Sequence, residues 1–251
     1  MSIIVPAAGT FGSSGTSGTT FSVSSNTSGQ TGAVVIVVIM TSGTAGGSFT
    51  QTAGPTWTGL GAAGALQTDS NANAGGTFQS MIAWSPPWPG GGAGPTATFS
   101  YPNSGRWAYD TIWVYADWAT VNLDAAASAD ISTTAGTTQS INAASASQAA
   151  EASIILTANQ KNAVGTGSTT WTKPTGWTSF DTQAEAGTAA TYGELTTVGY
   201  KVPVGSGSVA PGTYTLSQSC YSNAYQLLFS APTLPSPGRV SSQAIKRAAF
   251  Y

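Results

Sequence analysis

The sequence predicts an all-β protein, built as two tandem β-sandwich or jelly-roll-like domains related by internal duplication, with an extended C-terminal arm. Three observations predict it. One pattern is written twice: with Gly54-Pro55-Thr56-Trp57 set against Lys173-Pro174-Thr175-Gly176-Trp177, further landmarks recur at an offset of roughly 116–120 residues. These pair Ser17-Gly18-Thr19-Thr20 with Ala135-Gly136-Thr137-Thr138, Ala33–Met40 with Ala152–Ala158, Trp84 with Tyr200, and Ala108-Tyr109 with Ala224-Tyr225. The apolar segments are short, β-branched or aromatic, and bounded by Gly, Ser, Thr and Pro. Finally, 41% of residues are hydrophobic and only 6% charged, so the chain has the apolar mass to pack rather than stay unfolded.

The elements follow in order. Val34–Ile39 is an unbroken β-branched and apolar block between Gly32 and Gly43, the pattern of a strand buried on both faces. Phe78–Trp84 is a strand that stops at Pro86-Pro87, because proline cannot donate to a sheet ladder. Thr96–Tyr101 alternates polar with apolar, as a half-buried strand does. Trp107, Tyr109, Thr111, Trp113 and Tyr115 share one face of the next strand, and Tyr225, Leu227 and Phe229 are expected on the corresponding face of its second copy. Helix signals are confined to an Ala-rich stretch at 143–152, enough for a turn or two, and to a short helix from Ser241 or Ser242 through Ala249.

These landmarks set the organisation. Residues 1–118 are read as the first domain, 119–130 as a connector, 131–231 as the second domain and 232–251 as the arm, which opens at Pro232, Pro235 and Pro237. Positions that keep their character in both copies are read as core: Trp57 with Trp177, Trp84 with Tyr200, and Trp113 with Phe229.

Charge is scarce and unevenly placed. One arginine faces four aspartates in residues 1–125, and three lysines face five acids in 126–231. The last twenty residues hold Arg239, Lys246 and Arg247 with no acid. Neither body offers the basic face that nucleic-acid binding needs, so no nucleic-acid partner is expected. The Val34–Met40 run is too short to span a bilayer, and no membrane association is expected. The first residues carry no basic leader and do not read as a secretory signal, which places synthesis in a cytoplasm. Cys220 is the sole cysteine; it can form no intrachain disulfide and is read as a small apolar residue.

Catalytic chemistry has little to stand on. With no histidine, the usual serine or cysteine triad is ruled out and the commonest general base is missing. The nine acids show no spacing that sets two carboxylates on one strand face, as glycoside hydrolysis requires. The reading is therefore of a protein that is not an enzyme and takes no cofactor. Asp117, Asn122 and Asp124 supply oxygen ligands of the kind calcium uses, but turn residues capping backbone donors are the preferred reading, so no metal is expected. Low surface charge favours association instead. The interface and ligand candidates are Trp88, Arg239, Ile245, Lys246, Arg247, Phe250 and Tyr251. Trp88 stands where the second copy has Val204, in the loop Ser85-Pro86-Pro87-Trp88-Pro89-Gly90; if exposed, its indole suits a sugar ring or a protein interface, and if folded back it plugs the end of its own sandwich. The arm ends in Phe250-Tyr251 beside Lys246 and Arg247, a layout that can seat aromatics in a neighbour's groove and pair its cations with an acidic rim.

The second copy carries a family resemblance. It runs Ala152–Thr157, Pro174-Thr175-Gly176-Trp177-Thr178, Val198-Gly199-Tyr200-Lys201, Gly212-Thr213-Tyr214-Thr215-Leu216-Ser217 and Tyr225-Gln226-Leu227-Leu228-Phe229. This resembles β-sandwich modules of minor tail proteins and other virion proteins of tailed bacteriophages, as does the ending Ile245-Lys246-Arg247-Ala248-Ala249-Phe250-Tyr251. The first copy departs from it, lacking the glycine before Trp57 and adding the Trp88 loop. The resemblance implies a non-enzymatic structural component of the virion, made in the host cytoplasm, with a minor tail protein as the first expectation and a capsid (head) decoration protein as the alternative. Its partners would be other virion proteins and further copies of itself. A carbohydrate-binding module for host-surface glycans, suggested by the tryptophans between 84 and 118, is the rival from another class.

Overall fold

A computed structural model of the chain describes residues 4–24, 31–43, 56–58, 60, 65–73, 76–90, 95–116, 120–131, 134–148, 151–161, 168–186 and 193–231. The all-β class holds: every regular element among these residues is a strand. The first half supplies β1 (Ile4–Ser24), β2 (Val34–Gly43), β3 (Thr56–Thr58), β4 (Ala65–Asn73), β5 (Gly76–Trp84) and β6 (Thr96–Ala116). The second half supplies β7 (Asn122–Ile131), β8 (Gly136–Ile141), β9 (Ala144–Ala146), β10 (Glu151–Lys161), β11 (Trp171–Thr172), β12 (Thr178–Ala186), β13 (Glu194–Val204), β14 (Gly207–Val209) and β15 (Gly212–Ser230).

Each half makes its own antiparallel sheet, and the two sheets repeat one order. In the first, β4-β5-β2-β6 is followed by β1, with β3 on the early part of β6. In the second, β12-β13-β10-β15 is followed by β7 and β8, with β11 on the early part of β15. A small third sheet pairs β9 with β14. The central strands are β2 and β10, and their sequences explain why. β2 is apolar from Val34 to Met40, as a strand covered on two faces should be, and β10 is buried along its whole length although it mixes the apolar Ala152, Ile154, Ile155, Leu156 and Ala158 with polar residues.

The β2 run divides its side chains between two cores. Val34, Ile36, Val38 and Met40 face one way and join Ile82, Ile112 and Val114 against Ala152, Ile154, Leu156, Val198, Tyr225, Leu227 and Phe229 of the second sheet. Ala33, Val35, Val37 and Ile39 face the other way and pack with Trp57, Met81, Phe99 and Trp113. The second half has an outer core of its own around Ile155, Trp177, Tyr214, Leu216 and Cys220. So the largest aliphatic core is a seam between the halves. Each fully buried Val, Leu, Ile or Phe there contributes about 1.5–3 kcal/mol as an upper figure. The halves are joined through that seam as well as through the chain.

Several expectations are revised. Residues from Asn122 onward, read as part of a connector, form β7, which pairs along β15 from Ser230↔Asn122 to Asn223↔Ile131. The Ala-rich stretch at 143–152 is not helical. Ala144–Ala146 is strand β9 with a buried–exposed–buried pattern, and β10 begins at Glu151. Alanines at alternate positions fill the close space beside Val204 and Leu228, which outweighs their helix propensity.

The match of Trp113 to Phe229 is also off by one residue. With Trp84 matched to Tyr200, their partners Ile36 and Ile154 are equivalent and Val34 corresponds to Ala152. Val34 pairs with Val114 and Ala152 with Phe229, so Phe229 corresponds to Val114 and Leu228 to Trp113; by the same shift Ala108 and Tyr109 correspond to Asn223 and Ala224 rather than to Ala224 and Tyr225. Strand side chains alternate with a period of two, so this one-residue difference changes the face. Trp113 lies in the outer core of the first half, whereas Tyr225, Leu227 and Phe229 lie in the seam. The helix expected at 241–249 and the arm lie outside the described residues.

Candidate functional site

Trp88 sits on the described part of its loop, and it is not exposed. Only 7% of its surface is open. The backbone explains this. After β5 ends, Ser85 N–H donates to Val35 O at 2.8 Å, Trp88 N–H donates to Ala33 O at 2.7 Å, and Gly32 N–H donates to Trp88 O at 2.7 Å. The Ser85 hydroxyl closes the same ladder by accepting from Val35 N–H at 2.9 Å. The prolines therefore do not present the indole to solvent; the loop is stitched to the entry of β2 and carries Trp88 inward. Pro87 and Pro89 take the outward positions. Gly90, at φ +89°, turns the chain where a Cβ would meet the Thr31 hydroxyl. Of the two readings of Trp88 the inward one holds: it is a packing residue of the first half, and the exposed indole is excluded.

Arg239, Ile245, Lys246, Arg247, Phe250 and Tyr251 fall outside the described residues, as does Asp117. Asn122 and Asp124 are described and do not converge on a common point. The Asn122 amide donates to Thr120 O at 3.4 Å. Asp124 caps a turn, accepting from Ser147 N–H at 2.9 Å and from the Ser147 hydroxyl at 2.7 Å. That is the capping role turn chemistry gives aspartate. Among the described residues no three His, Cys, Asp or Glu side chains are placed to hold a metal ion, and no helix is long and apolar enough to cross a membrane.

The structure brings in a partner that sequence reading missed. Glu151, at the start of β10, turns its Oε1 onto Gln148 N–H at 2.8 Å and toward the Ser147 hydroxyl at 3.4 Å. Two carboxyl groups thus hold the turn after β9, one from β7 and one from β10. Bonding from the Ser147 hydroxyl holds Asp124 below the usual aspartate range. Burial, followed by the nearby charge of Asp124, pushes Glu151 above the usual glutamate range. The local spacing of Ser147 and Glu151 hints at a turn, and Asp124 reads as a capping residue, but nothing in the sequence joins Asp124 to Ser147, 23 positions later.

The most distinctive polar cluster is in the seam. Ser80 of β5, Asn223 and Tyr225 of β15 are all fully buried. Asn223 Nδ2 donates to Ser80 Oγ at 2.5 Å, and the Ser80 and Tyr225 hydroxyls share a hydrogen bond of 2.6 Å. A second buried chain lies within the second half: Tyr214 OH donates to Asn159 Oδ1 at 2.9 Å, Asn159 Nδ2 donates to Thr157 Oγ1 at 2.8 Å, and Thr157 and Thr197 share 2.6 Å. The first half has Ile39 across from Met81 where the second has Thr157 across from Thr197. These clusters are shut away from solvent, so their chemistry is that of fixing register and packing rather than of handling a substrate.

The chain matches no protein-family model, no curated protein and no solved structure.

Proposed function

We propose that the protein is a non-enzymatic structural component of a tailed-bacteriophage particle, a minor tail protein making protein–protein contacts. One observation carries this reading. A chain with 6% charged residues has strands as its only regular elements among the described residues, and places its largest core between its two halves. Its tryptophans are spent on packing, with Trp57, Trp88, Trp113 and Trp177 all buried, and the buried Ser80, Asn223 and Tyr225 tie the two sheets together. Such a body suits a building block whose remaining surface meets other protein. The tail-protein resemblance of the second half supplies the kind of particle.

The head-decoration reading shares this support and differs only in stoichiometry. The glycan-binding reading loses its best residue, because a buried Trp88 offers no face for a sugar to stack on. The test is a tryptic digest of purified particles, quantified against a known tail subunit. A few copies per particle support the tail placement, many copies support head decoration, and absence from the digest overturns both.

A further inference from the structure

The seam is asymmetric at its centre. By pairing with equivalent positions of β2 and β10, Ser80 corresponds to Thr196, Ala108 to Asn223 and Asp110 to Tyr225. All six are almost or fully buried. Both hydrogen-bond partners of Ser80 across the seam come from the second half: the Asn223 amide and the Tyr225 phenol. The first half answers with Asp110 and Ala108 at the equivalent places.

This makes the seam selective. A seam of two first halves would set two Asp110 carboxyls in one core where the present seam holds one, and would leave Ser80 without its amide and phenol. Burying charge in that way is strongly disfavoured. A seam of one first and one second half satisfies Ser80 and fills the space with Tyr225, Leu227 and Phe229. The surface that each half presents therefore fits the opposite half.

Nothing in that fit requires both halves to belong to one chain. Among the described residues no strand of one sheet pairs through its backbone with a strand of the other; the hydrogen bonds across the seam run between side chains. The covalent link is the short stretch between Ala116, where β6 ends, and Asn122, where β7 begins. We infer that the seam is also this protein's surface for a second copy of itself: the first half of one copy closes on the second half of another. Two copies exchanging halves reciprocally rebuild the same seam twice and close as a dimer, while unreciprocated exchange extends the assembly. This inference rests on the seam and stands apart from the placement in a virion.

The test uses full-length chains carrying two different tags, unfolded together and refolded over a range of concentration. The expected result is a species of twice the chain mass containing both tags, rising with concentration and reverting slowly on dilution. Monomer alone at every concentration overturns the inference. A second arm uses Ile112→Arg and Leu227→Arg, each placing a charge in the seam. Each variant alone should lose soluble yield. Produced together they should regain it as a mixed dimer, because one intact seam forms between the first half of the Leu227→Arg chain and the second half of the Ile112→Arg chain. Failure of the pair to regain yield, or loss of the wild-type dimer on replacing the exposed Phe11 by serine, assigns any association to another surface and overturns the inference.

Discussion

The hydroxyl of Tyr225 lies 2.6 Å from that of Ser80, a residue 145 positions earlier and in the opposite sheet. Ser80 also accepts from Asn223, so one small hydroxyl serves two second-half side chains inside an apolar seam. The cost of deletion should therefore be unequal. Ser80→Ala removes a partner from both the amide and the phenol and should cost about 2–4 kcal/mol, the sum of two buried groups each losing one hydrogen bond. Tyr225→Phe leaves the Asn223–Ser80 bond in place and should cost about 1–2 kcal/mol. Urea denaturation of both variants and the double variant checks this; equal single losses with no coupling would rule out the shared bond.

Trp88 makes a second prediction. Because its indole is buried and its backbone is bonded to Gly32 and Ala33, Trp88→Ala should destabilise the fold by about 3–5 kcal/mol, the range for emptying a large aromatic site. Thermal melting would show this directly. A variant as stable as the parent would mean that the side chain stands in solvent.

What the sequence made legible and what it hid divide along physical lines. The β2 run was readable because a strand covered on both faces needs apolar residues at every position, and Val34–Met40 supplies them. Trp57 and Trp177 were readable as core because both halves keep a large indole after a proline-containing segment, and both are buried. The β6–β15 register was not readable. A strand with two buried faces shows no polar–apolar alternation to distinguish one register from the next, so Trp113 aligned with Phe229 instead of Leu228. The Trp88 loop misled for another reason: its composition is that of an exposed turn, while its backbone partners lie more than fifty positions away at Gly32 and Ala33. The Asp124–Glu151 arrangement was hidden in the same way, since β7 and β10 flank β15 and their carboxyls come together at a turn far along the chain from Asp124.

Gly9 gives a third prediction, at the irregularity in β1. The register of β1 on β6 shifts between Ala8 and Phe11, and a Cβ at Gly9 would lie 2.6 Å from the Thr111 carbonyl oxygen. That oxygen belongs to the central part of the sheet and cannot swing aside as a side chain would. Gly9→Ala should therefore cost about 1–3 kcal/mol, the range for overpacking. Hydrogen exchange should show faster exchange along β1 than along β2. Protection of β1 unchanged from the parent would show that the strand can retreat without penalty.

The carboxyl pair predicts a pH profile with a maximum. Burial raises Glu151, so its protonated form is favoured by folding; that contribution is full below the ordinary glutamate pKa and is lost as pH rises through the raised value. The Ser147 hydroxyl lowers Asp124, so its contribution is present above the ordinary aspartate pKa and is lost as pH falls through the lowered value. The turn after β9 should thus be firmest in weak acid, with Asp124 ionised and Glu151 protonated, and loosen on either side. Glu151→Gln keeps a neutral group that can still accept from Gln148 N–H, and should flatten the decline above the maximum while leaving the decline in stronger acid. Asp124→Asn should do the reverse, with the smaller effect, because Asp124 is partly exposed and its interactions are weakened by solvent. Denaturation midpoints measured across the acid range for the three proteins decide the matter. A Glu151→Gln profile that parallels the parent on the high-pH side would show that the Glu151 proton does not govern the turn.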